Sequence, residues 1–238
     1  MTTHDEETSD GPAPGPRLVW DLPLRATHWM LAGTVTGAWA THYAGTRWFS
    51  WHRAFGYTTL VLVAFRIVWG FVGTRHARFA VFVRGPRALI AYLYRRPLPA
   101  TPGHNPLGAL SVLAMLAALL LQAATGLFAN DEITSAGPFY GWIAPGTSNR
   151  ITGLHEANSN LLLALFALHV LAIAWYGWVA GRPLLRAMVT GRKPASEVPA
   201  GEAVEDSRTL LALAIVAALA VALALAVRAA PEATIALY

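Results

Sequence analysis

Apolar residues in this chain are concentrated in five long runs, and polar or basic segments separate them. Each run approaches the ~20 residues that a helix needs to cross the hydrocarbon core of a bilayer. The pattern therefore predicts five membrane-spanning helices, at residues 26–45, 54–73, 107–129, 152–178 and 209–227. Between the second and third runs, residues 79–96 mix apolar and basic side chains, which predicts a helix lying on the membrane surface.

Composition supports a membrane protein built of helices and no soluble domain. Hydrophobic residues make up 55% of the 238 residues, charged residues only 13%, and the mean hydropathy is +0.43. Residues 1–16 are acidic and proline-rich, so we expect a disordered tail with no cleavable signal peptide. We expect a polar linker at 195–208 before the fifth span, and a short external tail at 228–238 after it.

The distribution of charge predicts the orientation in the membrane. Residues 74–106 carry six arginines and no acid, and residues 180–208 carry a second basic group, whereas residues 130–151 have a single arginine. Because cytoplasmic loops are enriched in basic residues, the first two segments are expected in the cytoplasm. This orientation puts the N-terminus in the cytoplasm and the C-terminus in the periplasm of a bacterial inner membrane. It also explains the net charge of +5 without a nucleic-acid partner.

The chain contains no cysteine. This excludes structural disulfides, iron–sulfur clusters held by thiolates, and haem attached covalently through a CxxCH motif. A metal or haem centre would have to be held by other side chains.

Two histidines in the fourth predicted span have an informative spacing. His155 and His169 are 14 positions apart. At ~100° per residue they lie about 40° short of four full turns, so they share one helix face, with roughly 21 Å between them along the axis. One is expected near the outer membrane surface and the other near the inner surface.

Histidines in other spans match these two depths. His28 lies at the depth of His169, and His52 at the depth of His155. Two nitrogens on opposite sides of an apolar slot are what haem b requires as axial ligands, so we expect two haem b groups. His42 follows His28 by 14 positions and also reaches the outer level, so geometry alone permits either His42 or His52 to pair with His155.

The joint pattern of short motifs resembles the prokaryotic cytochrome b561 family, which is closely related to the b-type cytochrome subunits of membrane-bound nickel–iron hydrogenases. The resemblance covers about residues 17–194 and rests on motifs in the predicted spans and beside them: THW, WHRAFGY, FRIVWGFVGTRHARF, GHNPLGAL, QAATGLF, LHE with a later histidine, and RAMVTGRK. It implies an all-α, integral membrane four-helix bundle that binds two haems, with the fifth helix as an addition. It also implies the axial pairs His28/His169 and His52/His155, and it has no counterpart for His42.

Five further residues are candidates for contact with the cofactors. Arg66 lies 14 positions after His52, and its charge within a span calls for a partner, such as a propionate of the inner haem, or for a route to the cytoplasmic surface. Arg53 and Arg150 are similar candidates at the outer haem. His104 and Asn105 are candidates for a quinone head group, although Asn105 before Pro106 also fits a helix cap.

Two haems at two depths predict electron transfer across the membrane. We expect electrons to move between the quinone pool and an external partner, either a c-type cytochrome or the catalytic subunit of a hydrogenase or another oxidoreductase. One alternative is a self-standing quinone-linked oxidoreductase that uses a small diffusible donor such as superoxide. A second alternative is a haem-free protein whose histidines serve transport or assembly.

Overall fold

The fold is known from a computed structural model that describes residues 15–95, 101–133 and 135–231. Most of the predicted tail at 1–16 and of the tail at 228–238 lies outside these residues. The long helices are α1 (Leu22–Tyr43), α2 (Phe49–Val72), α5 (Pro106–Gly126), α6 (Pro145–Trp178) and α8 (Thr209–Ala229). The short ones are α3 (Phe79–Phe82), α4 (Pro86–Tyr94) and α7 (Leu184–Thr190).

Each of the five predicted spans corresponds to a long helix, with shifted ends. The largest shift is in α6, which begins at Pro145 rather than at residue 152. Within the described ranges, four helices are long and apolar enough to cross a membrane: Thr46–Val72, Pro106–Gly126, Pro145–Trp178 and Thr209–Ala229. Helix α1 has 22 residues, which is sufficient length, but its threonines and histidines make it less apolar than these four.

The starts of two helices are fixed by side-chain caps next to proline. Asp21 precedes α1 and accepts a hydrogen bond from the Leu24 amide at 2.7 Å. Asn105 precedes α5 and accepts one from the Gly108 amide at 2.7 Å. Such caps satisfy amides that have no partner within the helix, so the local sequence sets where both helices begin.

The helices form a bundle that is open along one side. Helix α1 packs along α2, α2 along α5, α5 along α6, and α8 lies against α2. The backbones of α1 and α6 stand further apart than those of the neighbouring pairs. The result is a cleft between α1 and α6, and the histidines of both helices lie along it.

The inner end of the bundle, where α1 begins and α2 ends, is covered by the residues before α1 and by those after α7. Strand β1 (Arg17–Leu18) pairs with strand β2 (Arg192–Lys193) in antiparallel register. The turn before β2 has Gly191 at φ +79°, a conformation that favours glycine. The segment 195–208, expected to be a polar linker, folds against this end and buries Val198 completely.

Candidate functional site

The inner pair of histidines comes from α1 and α6. The ring centroids of His28 and His169 are 6.3 Å apart and their planes are inclined by 51°. Both residues are half-buried. Nδ1 of His28 is fully buried and has no hydrogen-bond partner among the residues that the structure describes.

The outer pair comes from α2 and α6. The rings of His52 and His155 are 6.4 Å apart and inclined by 76°. His52 Nδ1 lies 2.9 Å from the Ala38 carbonyl oxygen, and His155 Nδ1 lies 3.0 Å from the Gln122 carbonyl oxygen. A carbonyl can only accept, so both Nδ1 atoms carry the proton and Nε2 holds the lone pair when the rings are neutral.

His42 belongs to the same neighbourhood but lies at its edge. Its ring is 6.0 Å from that of His52, and the residue is exposed. Helices α1 and α2 are in tight contact near it, since a Cβ at Gly37 would lie 2.8 Å from the Phe55 ring. Helices α1 and α2 therefore leave no room for a planar macrocycle between them at Gly37, whereas α1 and α6 do not pack closely along each other.

Aromatic side chains from α1 and α6 meet between the two histidine pairs. Trp39 Nε1 donates a hydrogen bond to Ser159 Oγ at 3.1 Å. The Trp39 ring also meets the ring of Phe166 edge-on, at 6.0 Å. These contacts connect α1 to α6 at positions that lie between the two histidine pairs along α6.

Arg66 is buried near the inner end of the bundle and is only 6% exposed. Its guanidinium lies over the rings of Phe79 and Phe82, at 5.3 and 6.0 Å. Both terminal nitrogens are buried and lack a hydrogen-bond partner within the described residues. A buried guanidinium without an anionic partner is energetically costly. An anionic group supplied from outside the chain would remove this cost.

His104 and Asn105, the other candidates near the inner end, are both engaged in packing. The His104 ring lies between those of Trp20 and Phe82, at 4.6 and 4.7 Å. Burial, with a smaller contribution from the charge of Arg66, lowers the pKa of His104 to about 3. Asn105 caps α5 as predicted, through the Gly108 amide, and its side-chain amide also donates a hydrogen bond to the Tyr176 hydroxyl at 3.0 Å.

The two outer arginine candidates are exposed. Arg53 follows His52 directly, and its guanidinium lies 5.6 Å from the centre of the Phe49 ring. Arg150 lies in the first turns of α6, five positions before His155. Both arginines are therefore exposed residues close in sequence to a histidine of the outer pair.

Comparison with known proteins identifies the family. The family model described as prokaryotic cytochrome b561 matches residues 19–191. This chain belongs to the prokaryotic cytochrome b561 family. It is a membrane b-type cytochrome, and its activity is electron transfer.

Two curated relatives carry the same name, "Probable Ni/Fe-hydrogenase B-type cytochrome subunit". One is from Azotobacter chroococcum mcd 1 and the other from Azotobacter vinelandii. Each is 26% identical to this chain, and the match covers 73% of this chain and 86% of the relative. No solved structure matches the chain.

The family implies haem b, and the histidine pairs fit it. A metal–imidazole bond is about 2 Å long and the ring centre lies roughly 1 Å beyond the nitrogen, so two imidazoles on opposite sides of one iron have centres about 6 Å apart. The observed separations are 6.3 and 6.4 Å. In the described ranges no three of His, Cys, Asp and Glu converge on a bare metal ion, but haem iron needs only two protein ligands because the porphyrin supplies the others.

Sequence reasoning missed the polar side chains that surround His155. Gln122 Nε2 donates to His155 Nε2 at 3.0 Å, and Asn158 Nδ2 donates to Gln122 Oε1 at 2.7 Å. Thr125 Oγ1 lies 3.1 Å from His155 Nδ1. The available signal was polarity, since Gln122 interrupts an apolar run and Asn158 lies one helical turn from His155.

Proposed function

We propose that this protein holds two haem b groups at two depths in the membrane and carries electrons between the quinone pool and a redox partner on the opposite side. His28 and His169 are the axial ligands of the inner haem, and His52 and His155 those of the outer haem. The observation that supports this most strongly is that α6 brings two histidines to within 6.3 and 6.4 Å of a histidine ring on another helix, at two levels of the bundle. Bound haem supplies the one-electron redox chemistry, and the chain supplies ligands, burial and electrostatics.

Hydrogen bonds to the rings of His52 and His155 determine which ring nitrogen is available to bind iron. Their Nδ1 protons are held by the carbonyls of Ala38 and Gln122, so Nε2 presents its lone pair. In His155 that lone pair accepts a hydrogen bond from the Gln122 amide, which would have to release it for the ring to hold haem iron. Two histidines at each level would hold the haem, and the chain would then leave the iron no open position for substrate or oxygen.

Arginine side chains are proposed to hold the haem propionates. Arg66 is the candidate at the inner level because its guanidinium is buried and unpaired among the described residues. Arg53 and Arg150 are the candidates at the outer level, where solvent weakens each interaction. Near the inner end, His104 and Asn105 are the candidates for contact with a quinone head group.

The proposed partner and orientation are supported by the distribution of charge and by the names of the relatives. The basic segments at 74–106 and 180–208 favour an inner-membrane protein with a cytoplasmic N-terminus and a periplasmic C-terminus. The two relatives are named as hydrogenase cytochrome subunits, so the external partner is proposed to be the catalytic subunit of such an oxidoreductase, or a c-type cytochrome.

The cofactor content is tested on the purified protein in detergent. A reduced-minus-oxidised spectrum should show b-type haem, and haem assay against protein concentration should give two haems per chain. A ratio near one would reject the two-level arrangement. The absence of a b-type signal would reject the proposed sites altogether.

A further inference from the structure

Two side-chain amides, Gln122 of α5 and Asn158 of α6, are hydrogen-bonded to each other beside His155. Gln122 Nε2 donates to His155 Nε2 at 3.0 Å, and Asn158 Nδ2 donates to Gln122 Oε1 at 2.7 Å. Asn158 lies three positions after His155 on the same helix and is only 4% exposed. This amide pair therefore connects a buried residue to the ring nitrogen that is proposed to bind iron.

The orientation of the Asn158 amide is fixed by its neighbours. Its Nδ2 faces two oxygens, the Ala118 carbonyl at 2.9 Å and Gln122 Oε1 at 2.7 Å. A flipped amide would put its own oxygen against these two acceptors, so the nitrogen must occupy this position. Asn158 Oδ1 is then left buried, without a hydrogen-bond partner among the described residues.

A buried acceptor without a donor costs free energy, and the Gln122 amide is in a position to remove this cost. Two carboxamides pair reciprocally when each N–H group donates to the oxygen of the other. Half of that arrangement exists already, since Asn158 donates to Gln122 Oε1. If Gln122 Nε2 leaves His155 and donates to Asn158 Oδ1, the reciprocal pair is complete and the lone pair of His155 Nε2 is free.

The ring of His155 keeps its orientation without the Gln122 side chain. Its Nδ1 lies 3.0 Å from the backbone carbonyl oxygen of Gln122 and 3.1 Å from Thr125 Oγ1. The Thr125 hydroxyl donates its own proton to the Leu121 carbonyl at 2.7 Å, so its oxygen can accept from the ring. These two acceptors hold the imidazole while the Gln122 amide moves.

We propose that Gln122 and Asn158 are positioning residues for the outer haem. In the haem-free chain, the Gln122 amide occupies the lone pair of His155 Nε2. In the loaded chain, this amide donates to Asn158 Oδ1, so that one hydrogen bond replaces another and no buried amide is left unpaired. The inference rests on the proposed function, in which His155 is an axial ligand of the outer haem.

The test is the rate at which the purified holoprotein loses haem to an excess of apomyoglobin, followed by absorbance. Asn158→Leu removes the acceptor that the Gln122 amide uses in the loaded chain, so one of the two haems should be lost about ten-fold faster. The double variant Gln122→Met/Asn158→Leu has no amide left to satisfy, so its rate should return to within about two-fold of the wild type. Asn160→Leu makes the same replacement at an exposed position of α6 and is the matched control, with an unchanged rate.

Rescue by the second substitution separates positioning from ordinary packing. An unchanged rate in Asn158→Leu, or a double variant that loses haem as fast as Asn158→Leu, would overturn the proposal. Gln122→Met alone gives the answer if Asn158→Leu does not fold. It removes the amide that competes for His155 Nε2 and should retain haem like the wild type, whereas a loss about ten-fold faster would overturn the proposal. A wild-type protein without b-type haem would instead overturn the proposed function.

Discussion

The ring of His169 lies 6.3 Å from the ring of His28, although helices α1 and α6 do not pack along each other. Two imidazoles that face each other from helices without close backbone packing are positioned for a group that binds between them. The same relationship recurs between His52 and His155 at 6.4 Å. This repetition is the basis for the predictions that follow.

The first prediction separates His52 from His42 as the outer ligand. His52→Ala should lower the haem content from two to one per chain, because it removes a proposed axial nitrogen. His42→Ala, at an exposed residue on the edge of the site, is the matched control and should keep two. Haem assay of both purified variants gives the answer, and the reverse result would assign the outer iron to His42.

A second prediction concerns the tight contact between α1 and α2. Gly37→Ala should lower the melting temperature, because its Cβ would lie 2.8 Å from the Phe55 ring. Gly33→Ala lies one turn earlier on the same helix, and nothing is within 4 Å of its Cβ, so it should be neutral or gain up to ~1 kcal/mol from helix propensity. Equal destabilisation by both substitutions would contradict the packing described for α1 and α2.

Arg66 is expected to reduce the stability of the haem-free protein and to support haem binding. Arg66→Met keeps a long side chain and removes an unpaired buried charge, so the haem-free form should gain on the order of 1 kcal/mol. The same variant should retain less haem at the inner level, because the proposed propionate partner is gone. Thermal denaturation of the haem-free form and haem assay of the loaded form measure the two effects. A lower melting temperature in the haem-free form would mean that Arg66 is structurally required.

His104 should make stability depend on pH. Burial lowers its pKa to about 3, whereas the ordinary value is 6.5, so the unfolded chain binds the proton more readily. The contribution of neutral His104 is therefore fully present above pH 6.5 and is lost progressively as the pH falls towards 3. His104→Gln should show a smaller drop in melting temperature between pH 7.5 and pH 5 than the wild type. An equal drop in both proteins would place the titrating group elsewhere.

Helical periodicity and membrane depth could predict the most important part of the site. The 14-residue spacing of His155 and His169 predicted that both lie on one face of the helix at two depths. In the structure, a histidine of another helix lies next to each of them. Geometry in the sequence left His42 and His52 as equals. The close packing of Gly37 on Phe55 argues against a macrocycle between α1 and α2, but both histidines were predicted to pair with His155 of α6, so His52 as the outer ligand stays a prediction.

The contacts that the sequence could not predict join residues that are far apart in the sequence. Val198 lies in a segment with the composition of a linker, yet it is fully buried, because strand pairing at Lys193 brings that segment under the bundle. The Ala38 carbonyl lies within hydrogen-bond distance of His52 because α1 packs along α2. Neither composition nor periodicity contains information about contacts between residues that are distant in the sequence.

The most direct measurement of the central claim is the haem-to-protein ratio in the wild type, in His169→Ala and in His155→Ala, each purified in detergent. Two haems per chain in the wild type and one in each variant are predicted, because each histidine serves a different level. A ratio of one in the wild type, or an unchanged ratio in either variant, would contradict the assignment of α6 as the helix that ligates both haems.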